Sequence, residues 1–205
     1  VRTLPLLAVT GLLTNATVWG LSWIGFKSLQ AHGLHPLWAT AVIYGVSTLA
    51  LVVWKFSALR DFALHAGLLA VFVGSGLTNA FFNTAVAVGD VVRVVLLFYL
   101  MPIWAVLLAR FVLHEPITQR AVARIAVGLA GAFIVLWQPA LGVPLPREAA
   151  DWMAIFGGFF FALNNVMLRK LNYVGEWSRA IAMFAGGSVL SLLGALILMQ
   201  VGSVA

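Results

Sequence analysis

The sequence predicts an all-α integral membrane protein of seven transmembrane helices: one complete five-helix repeat, then the first two helices of a second, inverted repeat. Three observations carry that expectation. Of 205 residues, 63% are hydrophobic and only 9% charged, with mean hydropathy +1.06, where soluble domains carry about 25% charged residues. Seven apolar stretches approach or exceed the roughly 20 residues that a helical span requires. Finally, "WGLSWIGFKSL" (Trp19 to Leu29) returns as "FALNNVMLRKL" (Phe161 to Leu171) at an offset of 142 positions.

The seven stretches are 4–27, 36–54, 64–88, 92–113, 119–137, 151–169 and 179–201. Membrane strands are a poor alternative, because barrel strands alternate polar and apolar residues over about ten positions and these runs are continuous. The first stretch begins after a single basic residue, Arg2, as a secretory leader does, but it is too long for one and belongs to the mature protein. It carries Asn15, Trp19, Trp23 and Lys27 at four-residue spacing, with Ser22 beside them. The third carries Ser75, Asn79 and Asn83 at the same spacing, with Thr78 and Phe82 nearby. The fourth holds Tyr99 and Pro102, and the proline predicts a bend because it removes a backbone donor. In the fifth, Gly128/Ala132 and Ala126/Ala130 are ordinary close-packing residues. "QPALGVPLPREAA" (138–150) reads as a linker, and the sixth stretch offers Asn164 and Asn165.

Charge sets the orientation. With the N-terminus in the cytoplasm, Arg2, Lys55, Arg60, Arg110, Arg120, Arg124, Arg169, Lys170 and Arg179 fall inside. Lys27, Arg93 and Arg147 fall outside, which accounts for all twelve basic residues. Scattered singly, they form no patch for nucleic acid despite the net charge of +6. Five helices separate the two copies of the repeated segment, so the copies run in opposite directions. The offset also pairs Gly33 with Gly175, Gly45 with Gly187 and Leu51 with Leu193. Inverted repeats characterise alternating-access transporters, whose solute site lies near the midplane. The implied organisation is a first repeat over 1–137, a periplasmic linker over 138–150 and a partial second repeat over 151–205.

Lipid offers polar side chains no partners, so those inside the spans point to a site. Asn15, Trp19, Ser22, Asn79, Phe82, Asn83, Tyr99, Asn164 and Asn165 are the expected cavity residues, because residues four apart share a helix face. Trp23 and Lys27 suit an outer-interface anchor instead. The six acidic residues (Asp61, Asp90, Glu115, Glu148, Asp151 and Glu176) all fall at helix ends or in loops, which argues against a buried proton relay. His32, His35, His65 and His114 are peripheral too. "HEPIT" has Thr118 where a zinc-protease motif needs its second histidine. There is no cysteine and no nucleophile–base–acid set, so no enzymatic activity, metal or cofactor is expected.

The segment "VVLLFYLMPIWAVLLARFVLHEPIT" (Val94 to Thr118) resembles the fourth helix of EamA-type permeases in the drug/metabolite transporter superfamily. It joins a Tyr–x–x–Pro element (Tyr99, Pro102) to a Glu–Pro pair (Glu115, Pro116) at the cytoplasmic end. "GLAGAFIVL" and the tryptophan-bearing first helix fit the same family. The resemblance implies ten helices in two inverted five-helix repeats, a bacterial inner membrane, and export of amino-acid-like metabolites, with membrane lipid and a small solute as partners. It also implies that the chain is truncated, with helices 8–10 of a longer protein, or a second copy, as further partners. Four-helix relatives in the superfamily use a glutamate in their first helix. None stands here, which favours a neutral or zwitterionic solute. A non-transporting remnant or assembly partner is the alternative. A seven-helix receptor or photoreceptor is the further rival, but a retinal protein would need a lysine in the last helix, 179–201 contains none, and the offset repeat has no place in that design.

Overall fold

The computed structural model describes residues 6–136 and 146–200. Most of the expected linker therefore lies outside the described residues. Within them every regular element is helical. The order is α1 (Leu6–Ala31), α2 (Pro36–Trp54), a single 3-10 turn (Phe56–Leu59), α3 (Arg60–Leu64), α4 (Gly67–Val88), α5 (Val91–Phe98), α6 (Met101–Val112), α7 (Gln119–Leu136), α8 (Ala149–Lys170) and α9 (Glu176–Gln200). Five spans among the described residues are long and apolar enough to cross a membrane: α2, α4, α5 with α6, α8 and α9. α1 and α7 coincide with the two remaining stretches of the sequence.

Local chemistry explains several boundaries. His35 caps α2 by accepting the Leu37 N–H, with Pro36 in the first turn where no donor is needed. Asp90 caps α5 by accepting from Arg93 N. Glu148 and Asp151 form a reciprocal capping box on α8. The fourth stretch is interrupted at Tyr99 and Leu100, and Pro102 lies in the first turn of α6. Without a Pro102 N–H, the Phe98 carbonyl loses its helical donor. That carbonyl rests against Gly158 of α8, where a β-carbon would come within 2.8 Å of it. After α6 the chain turns through His114, whose φ of 58° is left-handed.

α4 is the central helix, and α8 and α9 pack along it most extensively. α5 and α6 lie on α8, and α2 lies on α9. α1 covers part of α4 and α2 with one edge, leaving Leu12, Leu13 and Leu21 largely exposed, as lipid-facing side chains are. Glycine makes the tight crossings possible: a methyl on Gly186 would overlap the Phe72 carbonyl, and one on Gly76 would overlap the Gly186 carbonyl. α2 and α9 run antiparallel. Trp54 meets Trp177, the Tyr44 ring covers Gly187, and Leu37 sits over Gly194.

Two apolar clusters grip opposite ends of α4. Leu68 and Val71 pack with Met167, Leu171, Val174 and Ala182, while Ala85 and Val86 pack with Val94, Leu97, Ala150 and Ala154. Between them, α4 presents Gly74, Ser75, Thr78, Asn79 and Asn83, all buried. Apolar burial therefore holds the helix at its ends and leaves its polar middle for hydrogen bonding.

Candidate functional site

A cavity of about 420 Å³ opens beside that polar middle. α1 contributes Asn15, Trp19 and Ser22, and α4 contributes Ser75, Thr78, Asn79 and Asn83. Asn164 of α8, Tyr44 of α2 and Phe184 of α9 close the remaining walls. The volume lies in the range of small-molecule sites.

The walls are held by a hydrogen-bond network that crosses three helices. Tyr44 Oη donates to Asn79 Oδ1 at 2.6 Å, and Asn79 Nδ2 donates to the Ser75 carbonyl at 2.8 Å. Ser75 Oγ donates to the Met183 carbonyl of α9 at 3.0 Å. Asn83 Nδ2 donates to Thr40 Oγ1 at 2.9 Å, and Thr40 in turn donates to the Pro36 carbonyl. Shared polar bonds of this kind substitute for the hydrophobic drive that lipid does not supply. Aromatic rings extend the wall on the α1 side. Trp19 packs on Phe82 at 6.0 Å, Phe82 on Phe98 at 4.5 Å, and Phe98 on Phe161 at 5.6 Å between centroids.

Six of the nine expected residues thus share one cavity: Asn15, Trp19, Ser22, Asn79, Asn83 and Asn164. Phe82 stands behind Trp19 as its packing partner. Tyr99 and Asn165 are elsewhere. Tyr99 lines a groove against α7 with Pro102, Gly128 and Ala132, and Asn165 is exposed and bonds back to the Phe161 carbonyl. Asn165 follows Asn164 by one residue, about 100° around the helix, so the two face different neighbours. Tyr44 was missed in the sequence. Its signal was present in Thr40, Tyr44 and Thr48, a four-residue polar spacing on the second stretch.

Both ends of the bundle are tied by charge. At one end Arg93 pairs with Asp151 at 2.6 Å, where the side chains are 13% and 4% exposed. Lys27 reaches toward the Gly89 carbonyl at the C-terminus of α4. At the other, Glu115 pairs with Arg169 at 2.5 Å, where both are well exposed, and Ser178 donates to Asp61.

Residues 6–137 match the EamA-like transporter family. The chain belongs to that family. No curated protein and no solved structure matches the chain significantly. Members of the EamA-like family are transporters rather than enzymes, and with five apolar spans this member is a multi-pass membrane protein. Of the segment that carries the resemblance, Tyr99 and Pro102 sit at the α5–α6 interruption. Glu115 joins the end of that segment to α8 through Arg169.

Proposed function

We propose that this EamA-like protein carries small neutral or zwitterionic metabolites, amino-acid-like in size, by alternating access, and that it works as an exporter in a bacterial inner membrane. One observation carries the reading: a cavity beside the middle of α4, walled by amides, hydroxyls and aromatic rings, with no charged side chain among its described lining residues. An uncharged lining suits a solute whose own charges sum to zero. Asn15, Trp19, Ser22, Asn79, Asn83 and Asn164 are the proposed solute-facing set.

One feature supports the inverted arrangement, in which α1 and α7 are additional spans. α2 and α9 are antiparallel and cross at Tyr44–Gly187, close to Gly45 and Gly187, the pair related by the 142-residue offset. Helices related by an in-plane twofold axis meet in this way. The positive charges favour a cytoplasmic N-terminus.

The test is solute flux through the full-length protein in proteoliposomes, assayed with a panel of labelled amino acids. Asn79→Ala and Asn83→Ala are expected to reduce flux of the accepted solutes several-fold. Unchanged flux of every accepted solute in both variants would refute the reading. Because the chain has no cysteine, single cysteines report orientation directly. A cysteine replacing Glu148 is expected to label from outside, and one replacing Ser57 from inside.

A further inference from the structure

Asn164 is 5% exposed, lines the cavity, and has a buried Oδ1 with no hydrogen-bond partner in the structure. Its backbone is wedged against Gly74, where a β-carbon would stand 3.1 Å from Asn164 N, which fixes the root of the side chain at the cavity wall. A buried carbonyl oxygen without a donor is costly, and each such group calls for an explanation.

The neighbouring hydroxyls cannot supply the donor. Ser22 donates to the Trp19 carbonyl, Ser75 to Met183, Thr78 to Gly74 and Tyr44 to Asn79. These bonds spend the hydroxyl protons of the wall, and no side chain donates to Asn164 Oδ1 in the structure, which leaves it open to a donor carried by a ligand. The rings of Trp19, Phe161 and Phe184 also line the cavity, and aromatic faces attract cations. A carboxylate would find neither lysine nor arginine among the described lining residues.

Resting on the transport reading above, we infer that the cavity takes its zwitterionic solute by the protonated amino group, held by Asn164 Oδ1 against the aromatic wall, and makes no charged contact to the carboxylate. An ammonium supplies three donors, and a bond from a charged donor is the strong kind. The solutes are therefore amino acids and similar zwitterions accepted through their amino end, and a primary amine without the carboxylate still makes that contact.

Four probes of one ring size separate these contributions: phenethylamine, phenylalanine, 3-phenylpropionate and N-acetylphenethylamine. Binding is measured by calorimetric titration of the full-length protein in nanodiscs. Phenethylamine and phenylalanine are expected to bind within about threefold of each other, and the other two at least roughly tenfold more weakly, as loss of one charged hydrogen bond implies. Asn164→Leu is expected to weaken phenethylamine by about tenfold or more. Asn164→Asp keeps the acceptor and is expected to bind phenethylamine at least as tightly, which also serves if the leucine variant fails to fold.

Equal binding of 3-phenylpropionate and phenethylamine overturns the inference, as does weaker amine binding by Asn164→Asp. Failure of all four probes to bind overturns it as well. The transport reading stands or falls separately, on the flux of the Asn79 and Asn83 variants.

Discussion

Tyr44 Oη and Asn79 Oδ1 lie 2.6 Å apart, joining α2 to α4 across the cavity wall. Asn79 is 4% exposed, so its carbonyl oxygen relies on this donor. Tyr44→Phe is expected to cost roughly 1–3 kcal/mol, the penalty of an unsatisfied buried acceptor, with the lower end favoured inside a bilayer. The measure is thermal unfolding in detergent or nanodiscs. Adding Asn79→Leu to Tyr44→Phe should cost less than the two separate losses combined. Strict additivity would mean that the bond contributes nothing.

The two ion pairs at the ends of the bundle should behave differently. Asp151 is buried with Arg93, and it also accepts from the backbone N–H groups of Arg147 and Glu148. Asp151→Ala removes the 2.6 Å ion pair to Arg93 and breaks the α8 cap, an expected loss of up to about 3–5 kcal/mol. Glu115 and Arg169 are 43% and 62% exposed. Glu115→Ala is expected to cost less than about 1 kcal/mol in stability. Equal shifts in unfolding temperature would contradict this account.

Glycines divide in the same way. Gly186→Ala drives a methyl into the Phe72 carbonyl, and backbone cannot move aside as a flexible side chain does. About 1–3 kcal/mol or more is expected, the range for overpacking. Gly128 of α7 has open space around it, so Gly128→Ala is expected to be neutral or to stabilise by up to about 1 kcal/mol through helix propensity. Folded yield and unfolding temperature of the two variants test the contrast.

His35 gives the fold a pH dependence. Burial lowers its pKa below the ordinary 6.5, and its neutral ring accepts the Leu37 N–H at the start of α2. A depressed folded pKa means that this stability is fully present above pH 6.5 and is lost as pH falls through the lower folded value. Unfolding temperature should therefore decline in mildly acidic buffer. His35→Asn keeps a capping acceptor without a titrating proton and should flatten that part of the profile. An unchanged slope in the variant would assign the effect to another group.

The sequence by itself determined the solvent, the approximate bounds of the five apolar spans among the described residues and the polar positions within them. Apolar length and charge are properties of a segment alone, and they hold whatever the segment packs against. Four-residue spacing likewise placed Asn79 with Asn83, and Asn15 with Trp19, on common faces before any partner was known. The tertiary structure decided which faces meet. Tyr44 joins Asn79 because α2 and α4 approach at that level. Asn164 reaches the cavity while Asn165 does not, because one step along α8 turns the side chain through about 100°. Tyr99 faces α7 because the helix breaks there, and the Phe98 carbonyl is accommodated by a glycine 60 residues later in the chain. Pairing across helices depends on backbone approach distances that glycines such as Gly158 and Gly186 permit, and no single segment encodes its partner's azimuth.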